Sequence, residues 1–212
     1  MSGSVSGSLP WALVVTCHDL RDGWQARMAV RRALPDAWVT YSPFRGVLLV
    51  ESDGDPLALA DRLARSPGVA VARIAAVLAE VPSDREAMIR AVREVAPAHV
   101  GPAESFAVRL HKRGSHGYVD PAPELEREAG TVVSRAMADR DGHVPHVDLE
   151  HPDVTVHVEV LGPRSLVCVA RAVWSARSTA PPATPSSPTG AAPNQPEEET
   201  HAENHRAAAQ AP

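Results

Sequence analysis

Ten residues, Arg109 to Tyr118 (RLHKRGSHGY), concentrate the groups that grip a polyanion with exposed flat rings. Arg109, Lys112 and Arg113 supply charge and N–H donors. His111, His116 and Tyr118 supply planar faces for stacking, and Gly114 and Gly117 let backbone N–H groups come close to a phosphate. Arg45, in the turn PFRG, offers a second cation. This is binding chemistry. The residues of bond-making chemistry do not assemble in the sequence. Six of the 10 histidines lie between His111 and His157, and HVPHVDLEH suggests a metal through His143, His146 and His151. Their spacing matches no standard site, so no metal is expected. His157-Val158-Glu159 copies the first half of a zinc deaminase signature, but the Pro-Cys-x-x-Cys half is missing. No glycine-rich cofactor loop and no Gly-x-Ser-x-Gly elbow appear, so no cofactor is expected. Cys17 and His18 are strand neighbours that point to opposite faces, which argues against a dyad.

The candidate residues need a strand to hold them. In ESFAVRLHKRG, Phe106, Val108 and Leu110 share one side, while Ala107, Arg109, His111 and Arg113 share the other. The spacing predicts a half-buried strand with a basic outer face. PELEREAGTVVSRAMADR follows as a helix with Leu125, Ala129, Val132, Val133, Ala136 and Met137 inward. Gly130 within it is expected to mark close packing on the sheet. In VDLEHPDVTVHVEV, Val154, Val156, Val158 and Val160 form an apolar row; Thr155, His157 and Glu159 form a polar one, so one face is expected to be buried. Asp148 or Asp153 can accept backbone N–H groups in the lead-in, and Pro152 fixes the approach. SLVCVAR then pairs back across GPRS.

The first half reads as βαββαβ over 10–81: WALVVTC, a helix through WQARMAVRRAL, WVTYS, GVLLVES, a helix opening at Pro56, and the strand VAVARIAAVLAEV. Between the halves, residues 82–100 read as a linker helix opened by a capping box of Ser83 and Glu86. Residues 1–9, rich in Ser and Gly, and 175–212, rich in Pro, Ala and Glu, are expected to be disordered. The fold class is therefore α+β.

Composition sets limits. Hydrophobic residues are 44% and aromatics 4%, so the core must be built from Val, Leu and Ala. The formal charge of -5 excludes a uniformly basic surface but leaves room for a local basic face. Lys112 is the only lysine. No leader or membrane span is visible, so a cytoplasmic protein with reduced cysteines is expected.

FAVRLHKRG, ELEREAG and VDLEHPDVTVHVEV, in this order and spacing, resemble the THUMP domain. YSPFRGVLLVES resembles the ferredoxin-like domain that accompanies it. The resemblance implies binding of the acceptor stem and 3′-CCA end of tRNA, and presentation of that tRNA to a modifying enzyme. The two-domain layout resembles the adaptor for tRNA cytidine acetylation, which implies a chain that is not itself an enzyme. Its partners would be tRNA and a separate tRNA-modifying enzyme. Residues 101–174 would be the THUMP unit, although they carry more acidic than basic side chains. Two other readings stand beside this one: a ferredoxin-like interaction or ligand-sensing module without an RNA role, and the RNA-binding subunit of a split thiolation or deamination enzyme. The sequence assigns no oligomeric state.

Overall fold

The computed structural model describes residues 10–19, 22–69, 71–114, 117–118 and 122–178. The N-terminal Ser/Gly segment, His116 and the tail from 179 lie outside these residues. Seven strands and five helices form a mixed α/β unit. They are β1 (Leu13–Thr16), α1 (Gly23–Ala33), β2 (Trp38–Tyr41), β3 (Val47–Glu51), α2 (Pro56–Arg65), β4 (Arg73–Pro82), α3 (Arg85–Val95), β5 (Phe106–Lys112), α4 (Ala122–Asp141), β6 (Val154–Leu161), β7 (Arg164–Arg171) and α5 (Ala172–Ser178). The strands make one sheet in the order β2-β3-β1-β4-β7-β6-β5. All neighbours are antiparallel except β5 and β6, which are parallel because α4 connects them. β4 joins the halves: its first residues pair with β1, and after a register shift between Val77 and Ala79 the strand continues along β7. No helix among the described residues is long and apolar enough to cross a membrane.

The helix-covered face of the sheet holds two cores. Leu13, Val15, Ile74 and Ala76 pack with Ala26, Val30 and Leu63 of α1 and α2. Val154, Val156, Val158, Val167 and Val169 pack with α3 and α4 through Met88, Val92, Leu125, Val133 and Met137. The helix between the halves is thus part of a core. Its N-cap is Asp84, whose Oδ1 accepts from Ala87 N at 2.9 Å, and not the expected Ser83. Ser83 Oγ instead meets Ser165 Oγ at 2.8 Å inside the sheet.

Three further expectations change. Gly130 is not tightly packed: a Cβ there would meet nothing within 4 Å. The chain does not leave the fold at 175, because α5 continues to Ser178 and buries Trp174 to 3% exposure among the α1/α2 core residues. The polar row of β6 is not a solvent face. His157 is 5% exposed and Glu159 is fully buried. This second face carries no helix, yet Val14, Leu49, Ala75, Val77, Leu166 and Cys168 are buried there under Trp11, Phe44 and Leu161. Contacts across that face close it: Phe44, beyond β2, would lie 2.9 Å from a Cβ placed on Gly114, beyond β5.

Candidate nucleic-acid interface

Glu159 organises the helix-free face. It sits on β6 beside His111 of β5, its register partner. Being fully buried, its carboxylate needs countercharge. Arg113 Nε donates to Oε2 at 2.9 Å, and Arg73 Nη2, reaching from β4, donates to Oε1. The same Arg73 nitrogen bonds Thr16 Oγ1 at 3.2 Å on β1. Arg73 Nη1 lies 2.7 Å from His111 Nε2, which lies 3.1 Å from His157 Nδ1. A guanidinium can only donate, so His111 Nε2 is an unprotonated acceptor and His157 Nδ1 carries the proton between the rings. Burial lowers the pKa of both imidazoles, His157 furthest, where Arg73 is the next cause. Burial also raises the Cys168 thiol well above its ordinary value, with Glu159 adding to the shift.

His111, His157 and Glu159 place three ligand-type atoms within 4.8 Å of one another. These residues do not fit a resident metal as arranged. Both carboxylate oxygens and His111 Nε2 already accept from guanidinium groups. A dication would join two arginines balanced by one carboxylate. Periodicity could not reveal this cluster, because Arg73 and Glu159 are 86 residues apart; the one local signal was a histidine and a glutamate on the polar row of a strand.

The expected contact residues divide into two groups. Lys112 and Arg113 lie at the C-terminal end of β5, followed by half-exposed Tyr118. Phe44 crosses the helix-free face diagonally to Gly114 and so brings the exposed Arg45 turn, which the register places at the opposite end of the sheet, close to the end of β5. Gly114 has φ 79°, which lets the chain turn against the Phe44 ring. His111 points inward to the Glu159 network, and Arg113 is partly committed to it. Arg164, at the start of β7, was missed: it is exposed at the β6–β7 turn beside this end and pairs with Glu80 at 2.6 Å.

Arg109 goes elsewhere. Its Nη2 donates to the Leu149 carbonyl, and it lines a groove of about 530 Å³ between β5 and α4 with Arg127, Gly130, Arg135, Val147 and Leu149. The acidic lead-in to β6 builds one wall. Asp148 Oδ1 accepts from Glu150 N at 2.9 Å and His151 N at 3.0 Å. Asp153 Oδ2 accepts from Ser105 N at 2.9 Å and Ser105 Oγ at 2.8 Å, tying the starts of β5 and β6 together. These backbone donors hold both carboxyls below the usual range. The expectation that the segment is a structural lead-in is borne out by these bonds.

Residues 82–170 match the THUMP domain, so that domain is present in this chain and includes α3. The uncharacterized protein MJ0421 of Methanocaldococcus jannaschii is 27% identical over 126 residues, covering 59% of this chain and 31% of that protein. TrmN from Thermus thermophilus is similar with a TM-score of 0.50 and 26% identity, over 74% of this chain and 44% of that one. A 4-thiouridine synthetase solved with RNA and ATP is similar in fold, with a TM-score of 0.52 and 18% identity, over 75% and 41%. This chain spans about a third of the curated relative and less than half of each of these solved chains.

Proposed function

We propose that this chain binds tRNA where the Arg45 turn, crossing the helix-free face, comes close to Lys112 and Arg113, and presents it to a modifying activity on another polypeptide. One observation carries the reading: the Phe44–Gly114 contact, made diagonally across the helix-free face, brings a cation-bearing segment from each half of the sheet together in a THUMP-containing fold. The resemblance of the first half to a ferredoxin-like domain supports a joint grip on the acceptor stem and 3′-CCA end. Its strand order, β2-β3-β1-β4 with all pairs antiparallel, supports that resemblance. The THUMP domain and the likeness to TrmN and to a 4-thiouridine synthetase solved with RNA support a place in tRNA modification, and the adaptor of cytidine acetylation is the layout the sequence resembles. In this reading the Glu159 network is a scaffold: it fixes the end of β5 and leaves the catalytic step to the partner.

Filter binding with intact tRNA and with tRNA lacking its CCA end tests the proposal. Intact tRNA should be retained more tightly, and equal retention would overturn end recognition. Nucleoside mass spectrometry of tRNA incubated with the purified chain, S-adenosylmethionine and ATP should show no change; a new modified base would make the chain an enzyme. The groove beside α4 favours a second reading, a ligand-sensing module. Salt separates the two, because phosphate contacts weaken steeply as salt rises and capture of a neutral ligand does not.

A further inference from the structure

The two edges of the sheet are treated differently. The β5 edge is covered. Phe106 N donates to His146 O, and Phe106 O accepts from Asp148 N. Leu110 N donates to the Glu126 carboxylate at 2.7 Å, and Arg109 crosses the edge to Leu149. The β2 edge is open. Ser42 N donates to Val47 O, so residues 38, 40 and 42 face β3, and the N–H and C=O groups of Val39 and Tyr41 point away from the sheet. Among the described residues, one bond meets those outward groups: Arg27 Nε to Val39 O at 3.0 Å. An open edge is a template for another strand.

The same edge gathers exposed aromatics in a chain with few of them. Trp38 is 66% exposed, Tyr41 47%, and Trp24, on the adjacent helix α1, 65%. Met28, one turn beyond Trp24, is also exposed. Two of the four tryptophans thus face solvent while the other two are at least partly buried. Trp, Tyr, Met and Arg are the residue types enriched at protein–protein interfaces.

Charge selects the occupant. The N-terminal end of β2 is acidic: Asp36, Glu51 (the register partner of Trp38) and Asp53 line one shallow depression with Trp38. The C-terminal end is basic: Arg27 lies 5.4 Å from the Tyr41 ring, and the exposed Arg45 follows in the turn. A two-fold axis through Thr40 would pair β2 antiparallel with β2 of another copy. Val39 of each copy would then stand opposite Tyr41 of the other, with their outward N–H and C=O groups facing. The acidic end of each copy, on the helix-free face with Trp38, would meet the end of the other that carries Arg45, while Arg27 lies with Tyr41 on the helix-covered face. A single surface that carries both halves of its own complement is what an isologous dimer requires.

We infer that the β2 edge, with Trp38 and Tyr41 at its centre, is a docking surface for a second copy of this chain, extending the sheet across a two-fold axis. This inference shares Arg45 with the tRNA reading, and Trp38→Lys and Glu51→Arg, which touch no proposed RNA contact, separate the two. Sedimentation velocity of the full chain, from low micromolar to submillimolar concentration, tests it. The mass should rise from one chain to two. Trp38→Lys, a change at an exposed position, should weaken self-association by about tenfold or more with an unchanged melting curve. Glu51→Arg and Arg45→Glu should each weaken it, and the double variant should recover because both ends are exchanged. A mass of one chain at every concentration would overturn the inference, as would a dimer indifferent to Trp38→Lys or a double variant weaker than either single one. If Trp38→Lys instead reduces tRNA retention while the mass stays that of one chain, the surface belongs to RNA and the inference fails.

Discussion

Glu159 has no exposure, yet two arginines that hold it keep partial contact with solvent: Arg73 is 16% exposed and Arg113 22%. Removing the carboxylate leaves both guanidinium groups facing each other without countercharge. For fully buried pairs such a loss costs about 3–5 kcal/mol, and the solvent at the arginines places Glu159→Gln near the lower end, about 3 kcal/mol, measurable by urea denaturation. Arg113→Glu strikes the same network, so lost RNA binding in that variant would report damage to the fold as much as a lost contact. The histidines predict a pH dependence. Both folded pKa values lie below the unfolded value, so the unfolded chain binds more protons between the two. The stabilisation is complete above about pH 6.5 and is lost as pH falls from there toward the folded values. The melting temperature should therefore drop between neutral pH and pH about 5.5. His157→Asn, which keeps a donor near Nδ1 but cannot take a proton, should flatten that drop. An equally steep drop in the variant would move the cause to His111 or His99, whose values burial also lowers; Asp148 and Asp153, with lowered values, act only at more acidic pH.

Two glycines show what a strand or helix pattern conveys and what it omits. Gly130 sits in the middle of α4 with open space where its Cβ would be, on the wall of the groove. Gly130→Ala should therefore stabilise the chain by about 1 kcal/mol, read as a higher melting temperature. Gly114 combines φ 79° with a Phe44 ring carbon 2.9 Å from where a Cβ would stand. Gly114→Ala should cost about 1–2 kcal/mol in backbone strain and should also loosen the Arg45 turn, seen as faster amide exchange at Phe44 and Arg45. The sequence showed that both positions were glycine but not which one was crowded, because the crowding comes from an element some 70 residues away. What local periodicity encodes was legible: the valine row of β6, the inward Leu125, Ala129, Val133 and Met137 of α4 and the pairing of β6 with β7 appear as expected, while Val132 and Ala136 are only partly buried. Long-range closure was not. The polar row of β6 reads as a solvent face until Arg73 is seen to cross from β4. α5 was missed because AVWSARS merges in composition with the proline-rich segment that follows, and only the buried Trp174 separates it from that segment.

Across the whole chain, a charge of -5 must coexist with any grip on a polyanion. The charges are arranged so that it can. The acidic side chains near the basic end are largely committed, Glu159 to Arg73 and Arg113 and Glu80 to Arg164. Arg45 is exposed in the turn whose Phe44 reaches Gly114, just beyond Lys112 on β5. With about three phosphates met by Arg45, Lys112 and one further cation, the logarithm of tRNA affinity should fall with the logarithm of salt at a slope of about -2 to -3. Arg45→Glu should make that slope shallower by about one and weaken binding at low salt, leaving stability unchanged because no structural bond depends on its side chain. Lys112→Glu should likewise make the slope shallower and add to Arg45→Glu in tRNA binding, since the two cations come from opposite halves of the sheet and would meet different phosphates. Arg109→Glu gives the decisive contrast. Its guanidinium lines the groove beside α4 and bonds Leu149, so it should leave the salt slope of tRNA binding intact. A shallower slope in Arg109→Glu than in Arg45→Glu would move the RNA from Arg45 and Lys112 to the groove.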